Sequence, residues 1–144
     1  MLVKVFSKLV EIKTFGPMVL HPLRNILERC IKESDIENGV LYASVEGATP
    51  ALVILERGLE SLFINFLTKF IPFTGWEHGN AYAHLISTLL STNLVIPIEN
   101  YSLALNSSTE VYLLETRSVH NHSRSVAVEI HGVQENGAHN SDAL

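Results

Sequence analysis

The sequence predicts an α+β fold with mainly antiparallel β-sheets and about three helices. Three observations carry that prediction. Segments rich in β-branched residues stand at both ends of the chain. Three stretches with helical periodicity interrupt them. The elements come in runs, strands then helix then strands then helices then strands, rather than in strict β–α alternation. At 144 residues and 16.0 kDa the chain fits one domain, placed at residues 1–132, whose core needs no covalent staple.

Each element has a local reason. LVKVFSKLVEIKTF alternates imperfectly and reads as one or two strands over residues 2–14, punctuated by Gly16 and Pro17. Leu20, Leu23, Leu27, Cys30 and Ile31 then fall on one helical stripe, with Pro22 near the first turn and an end near Ser34. Residues 37–39, Glu-Asn-Gly, make a turn before the strand VLYASVEG. After Pro50, ALVILE reads as a second strand, buried on both faces or nearly so. Leu59, Leu62, Phe63, Phe66, Leu67 and Phe70 give the strongest helical pattern, bracketed by Gly58 and Pro72. Asn80 is placed to cap a further helix of about 81–91. LVIPI at 94–98 is a strand, and a polar loop follows it. EVYLLET and RSVAVEI alternate as a hairpin-like pair around HNHS. Residues 133–144 form a polar tail expected to be disordered.

Composition excludes several classes of function. The net charge is −5, with 10 Lys and Arg against 15 Asp and Glu, and no basic cluster is present to neutralise phosphates, so nucleic acid is not an expected partner. The single Cys30 forbids an internal disulfide. Lysines interrupt the apolar residues of MLVKVFSKLVEIK, unlike a signal peptide. No apolar run approaches the ~20 residues that span a bilayer. A cytoplasmic protein without a membrane partner is the expectation. Only 17% of residues are charged, and mean hydropathy is +0.21. Either other subunits cover part of the surface, or a compact core carries a neutral polar exterior.

The candidate chemistry centres on GWEHGNAYAHLISTLL, residues 75–90. His78 and His84 flank the start of a helix, where two imidazoles can converge as metal ligands or bases. Two histidines make half a tetrahedral zinc site; the plainer alternative is a loop histidine and one on a polar helix face. Glu56 ends an apolar run, either solvated beside Arg57 or buried with a raised pKa and a function. His120 and His122 can bite a metal from a strand or decorate a turn. Arg124 can hold an anion or stand as a surface cation, while His131 and His139 point to nothing. There is no phosphate-cradling glycine loop and no legible Ser-His-Asp or Cys-His arrangement.

The order of motifs adds to this reading. H-x-N-A-x-A-H-L-x-x-x-L-L at 78–90, then LVIPI, LAL and V-Y-L-L-E, resembles the YjbQ family from about residue 38 to 132. Gly47 to Glu56 occupies the place of that family's His-Thr-Thr-Ala-Ala-Leu…Glu motif, with Thr49, Ala51, Leu52 and Glu56 matching. The resemblance implies a compact α+β homotrimer with histidine-lined, metal-capable pockets near subunit contacts, and a weak synthesis of thiamine phosphate. The chain also departs from the pattern. Gly47 stands where the family has a metal-site His, and Ala48 replaces the first Thr. GNAYA shortens the stretch between the later histidines; Asn106, Ser107, Ser108 and Thr109 replace Gly-Thr-Trp-Gln, and His122-Ser123-Arg124 replaces Arg-x-Arg.

Two functional expectations follow. In the first, the ancestral metal site is impaired, and the homotrimer binds a small anionic ligand through His84, Asn80 and Arg124, with Thr49 lining the site, or has become mainly structural. In the second, zinc or another divalent metal on His78 and His84 serves an enzyme acting on a phosphorylated small molecule. His84 then acts as general base or ligand, Glu56 as proton shuttle, and Arg124 binds the phosphate.

Overall fold

The computed structural model describes residues 1–135, so most of the predicted tail lies outside the described residues. In chain order the elements are β1 (Leu2–Thr14), β2 (Val19–Pro22), α1 (Arg24–Ser34), β3 (Asn38–Val45), β4 (Ala51–Glu56), α2 (Glu60–Phe70), α3 (Ala81–Leu90), β5 (Asn93–Glu99), β6 (Ser102–Leu103), β7 (Thr109–Glu115) and β8 (His122–Gln134). The expected α+β class, with three helices and antiparallel sheets, is what the described residues adopt. No helix among the described residues is long and apolar enough to cross a membrane.

The strands form a five-stranded sheet, β1-β8-β3-β5-β6, and a three-stranded sheet, β2-β7-β4. Every pairing within them is antiparallel. Inward side chains of the large sheet, among them Leu41, Val45, Ile96, Val126 and Ile130, meet Val111, Leu113 and Leu52 of the small one. Leu27, Cys30 and Ile31 of α1 enter the same core. Burial pushes the Cys30 thiol up, the state of a packed and unreactive cysteine. The opposite face of the small sheet carries a second core, where Ala51 and Leu114 pack against Leu67, Ile71 and Ile86 of the α2–α3 layer. The stack therefore runs large sheet, core, small sheet, core, helices.

This order corrects three readings of the sequence. β7 and β8 are consecutive but do not pair. β7 lies between β2 and β4, whereas β8 lies between β1 and β3. A hairpin needs a short turn that keeps both strands in one sheet. Here residues 116–121 cross from one sheet to the other, and His122 already belongs to β8. The strand buried on both faces is β7, where Glu110 to Glu115 are all buried, because it is the central strand between two cores. β4 is an edge strand, buried only at Ala51 and Leu52 and alternating between half-buried and exposed from Val53 to Glu56. Val133 and Gln134, assigned to the tail by sequence, pair in β8 with Val3 and Leu2. The short strand β2 has no sequence pattern of its own and is recruited by pairing with β7.

Candidate functional site

The segment from Ile71 to Asn80 is irregular but anchored. The Trp76 indole N–H donates to the Pro72 carbonyl at 2.7 Å, and the rings of Phe73 and Tyr82 meet at 4.6 Å. Tyr82 in turn donates its hydroxyl to the Thr116 carbonyl at 2.9 Å, tying α3 to the end of β7. Asn80 occupies the N-cap position of α3, but its side chain makes no capping bond. It turns instead toward the next helical turn, where its amide nitrogen stands 3.5 Å from Nε2 of His84.

His78, Asn80 and His84 thereby line one open cavity of about 430 Å³, with Trp76, Ala81 and Leu85 as its other walls. The imidazoles and the amide sit at the start of α3, where the Ala81 and Ala83 N–H groups already donate to the His78 and Asn80 carbonyls at 3.2 and 3.0 Å, so the helix start contributes its dipole, which favours negative charge. Among the described residues, no group of three or more His, Cys, Asp or Glu side chains is close enough to hold a metal ion. Within one chain the donor set stops at two imidazoles, short of the three protein ligands of a catalytic zinc site.

The remaining predicted residues lie in a second network. Glu115 is fully buried at the end of β7 and grips Arg124 with two bonds, Nε to Oε1 and Nη2 to Oε2, each 2.8 Å. Thr14 Oγ1 donates to the same carboxylate at 2.7 Å. Burial by itself would raise the Glu115 pKa. The hydrogen bonds from Arg124, Thr14 and the Arg117 N–H, with the guanidinium charge, outweigh it and hold the carboxyl below its ordinary value. Arg124 Nη2 also donates to Thr49 Oγ1 at 3.1 Å. Arg124 is thus neutralised by a carboxylate and ties the two sheets together, a role that differs from the anion binding read from sequence. Thr49 positions the guanidinium; neither residue lines the histidine cavity.

Gly47 explains the third position. Its φ is +115°, and a Cβ built there would meet Arg124 Nη1 at 3.0 Å and Pro50 Cδ at 3.2 Å. A histidine in this backbone would be strained and would point into a cation, so these residues do not fit a three-histidine metal centre.

Glu56 is exposed, and its hydrogen-bond partner is the Ser108 hydroxyl at 3.3 Å. It does not line the cavity of His84. His120 packs edge-on against Phe15 at 5.1 Å, and His122 opens β8 with its carbonyl accepting from Thr14. His131 pairs with Glu129 at 2.8 Å, and His139 lies outside the described residues. A larger cavity, about 680 Å³, lies between α2 and β2–β7 and includes Arg57, Glu60, Glu110 and Tyr112. Its most buried charge is already satisfied: Glu110 accepts from Arg57 at 3.2 Å and from the Arg24 and Val111 N–H groups at 2.9 Å. The histidine cavity is the better candidate, because its polar groups are exposed and are engaged by nothing stronger than the 3.5 Å contact between Asn80 and His84.

Sequence reading missed Glu115. The pattern that could have found it, a carboxylate closing an apolar run, was applied to Glu56.

Fold and site together define a small two-sheet α+β domain with a histidine-bearing cavity at a helix start. The chain belongs to the YjbQ family: residues 8–133 match the family described as UPF0047 protein YjbQ-like. A UPF0047 protein of Archaeoglobus fulgidus is 33% identical over 113 residues, covering 74% of this chain and 87% of that protein. The crystal structure of a YbjQ-like protein of unknown function from Sulfolobus solfataricus matches with a TM-score of 0.84 and 27% identity, covering 91% of this chain and 99% of that one. A hypothetical protein from Aeropyrum pernix shares the fold, with a TM-score of 0.81 and 22% identity over 89% of this chain and 99% of its own.

Proposed function

We propose that this chain is a ligand-binding member of its family that acts as a homotrimer, taking a small anionic ligand with a flat apolar part at the start of α3. The observation that carries this reading is the convergence of His78, Asn80 and His84 in one cavity walled by Trp76 and Leu85. Imidazole and amide N–H groups with the helix start serve the anion; the indole serves the flat part. Arg124 is left out of this role, because Glu115 already binds it. Trp76 is the chain's one tryptophan, so its emission reports on the cavity directly. Titration with pyrophosphate and with thiamine phosphate should shift Trp76 emission with a Kd below about 1 mM. His84→Ala should weaken binding tenfold or more, about 1.4 kcal/mol. Unchanged emission with both compounds, or equal Kd values in wild type and His84→Ala, would refute the proposal.

The metal-assisted enzyme is a second reading, favoured by the two imidazoles sharing one cavity. It requires a third ligand from another copy. Metal analysis of protein purified without a polyhistidine tag decides it. Stoichiometric zinc, lost in His84→Ala, supports the enzyme; less than about a tenth of an equivalent removes it.

A further inference from the structure

The helix-facing side of the small sheet changes character along its length. Side chains alternate along a strand, so β7 turns Leu114, Tyr112 and Glu110 to this side together. The register sets Leu20 and Ala51 beside Leu114, and Pro22 and Val53 beside Tyr112. The Leu114 end is sealed by Leu67, Ile71 and Ile86 of the helical layer. The Tyr112–Glu110 end is not sealed. There Glu60, Ser61, Ile64 and Asn65 of α2 face the strands across the open cavity of about 680 Å³. A strand covered on both faces is expected to be apolar throughout; β7 instead presents a phenol and a carboxylate to this space.

The charges around the cavity are one guanidinium and two carboxylates. Arg57 and Glu110 satisfy each other. The guanidinium donates to Glu110 at 3.2 Å and to the Ser107 carbonyl, and the other Glu110 oxygen takes the Arg24 and Val111 N–H groups. That pair contributes no net charge, which leaves Glu60. The backbone N–H groups of Glu60 and Gly58 hold its carboxyl below the ordinary value, so it is ionised at neutral pH. Apart from the Gly58 N–H and the Tyr112 hydroxyl that faces it, this carboxylate has no partner and no ion pair among the described residues.

Tyr112 is the second element of the site. It is only 5% exposed, and burial together with the neighbouring Glu60 pushes its phenol up, so the hydroxyl stays protonated. Its oxygen still has lone pairs to offer, and no group donates to it among the described residues. Val19, Leu20 and Ile64 supply apolar wall beside these two polar groups. The volume falls within the range of small-molecule sites, which combine apolar walls with a few placed polar groups.

We propose that this cavity is a ligand site of its own, taking the protonated primary amine of a small molecule with an apolar body. The ammonium sits against the Glu60 carboxylate and the Tyr112 oxygen. Ser61 or Asn65 supplies the third acceptor for its three N–H donors. The apolar body lies along Val19, Leu20 and Ile64. One positive charge balances the one carboxylate left over. A divalent metal does not fit, because Glu110 has no capacity to spare; an anion does not fit, because Arg57 is already engaged. The cavity shares no lining residue with the histidine cavity, so the inference stands apart from the anion site proposed there.

Isothermal titration calorimetry of the wild-type chain with phenethylammonium chloride tests this, with phenethyl alcohol and hydrocinnamate as neutral and anionic probes of similar shape. The amine should bind once per chain with a Kd below about 1 mM, and both comparison probes at least about tenfold more weakly. Equal Kd values for amine and alcohol, tighter binding of the anion, or no heat from the amine at up to about 10 mM would overturn the proposal. These comparisons need no substitution. Glu60→Gln, which deletes the charge and keeps the shape, should weaken the amine about tenfold or more while leaving the alcohol within about twofold. Tyr112→Phe should weaken the amine several-fold. Trp76 lines the histidine cavity and not this one, so its emission should stay constant through the amine titration. Unchanged amine affinity in Glu60→Gln, or a Trp76 shift that tracks the heat, places the amine elsewhere and overturns the assignment.

Discussion

Glu115→Gln is the most informative substitution, because it removes one charge and little shape from the pair that joins the two sheets. The Glu115 side chain is fully buried and that of Arg124 is 10% exposed. Both carboxylate oxygens accept from the guanidinium at 2.8 Å. In the variant the guanidinium keeps its charge and faces an amide that offers one acceptor where two stood. Removing one partner of a buried pair costs about 3–5 kcal/mol, a large share of the roughly 5–15 kcal/mol that hold a domain folded. For a chain of this size, that lowers Tm by about 10 °C. Urea unfolding followed by circular dichroism at pH 7 and fixed protein concentration measures it. The pH dependence is a second check. The folded-state pKa of Glu115 is depressed, so its contribution is fully present above the ordinary carboxylate value near pH 4 and is lost as pH falls through the folded value. Wild type and variant should therefore converge in acid. Replacing both partners, Glu115→Leu with Arg124→Met, should recover most of the loss, since well-packed apolar residues often substitute for buried ion pairs without cost. A Glu115→Gln protein within about 0.5 kcal/mol of wild type at pH 7 would refute the claim that this pair joins the sheets.

Two further substitutions test the placement of residues singled out by sequence. Glu56→Gln should leave both stability and Trp76-detected binding unchanged, because Glu56 is exposed, its bond to Ser108 is long, and it lies outside the histidine cavity; a tenfold loss of affinity would return it to the site. Gly47→His should not raise the zinc content, and it should cost about 1–3 kcal/mol of stability by forcing a left-handed backbone on a β-carbon, with Arg124 Nη1 3.0 Å from that carbon; zinc bound stoichiometrically by this variant would show that the loop and guanidinium can rearrange.

The parts of the fold that sequence revealed are those encoded locally. The α1 stripe of Leu27, Cys30 and Ile31 is periodic and buried, and its end at Ser34 is legible locally, but its start is not: Leu20 and Pro22, read from sequence as the opening of this helix, belong to β2, which pairing with β7 recruits. The α2 stripe was equally legible as a helix, but periodicity alone does not say whether an apolar face meets its own chain or another surface. Leu62, Phe66 and Phe70 are exposed in a single copy. Strand pairing was illegible for the same reason. β7 and β8 alternate like a hairpin, yet their partners are β2 and β4 for one, β1 and β3 for the other. These partners are fixed by which faces must be buried, not by the residues between the strands.

That distinction decides the site. ALVILE and VYLLE look alike as sequences, each an apolar run closed by a carboxylate. β4 and β7 pair antiparallel with Ala51 opposite Leu114 and Glu56 opposite Thr109, so the two carboxylates lie at opposite ends of the small sheet. Only the Glu115 end is met by β1 and β8, which bring Thr14 and Arg124 to it. The Glu56 end meets the polar loop at Ser108 and stays in water. Two similar strand ends thus receive opposite electrostatic roles from their pairing alone. The charged residue worth substituting is the one that the large sheet covers.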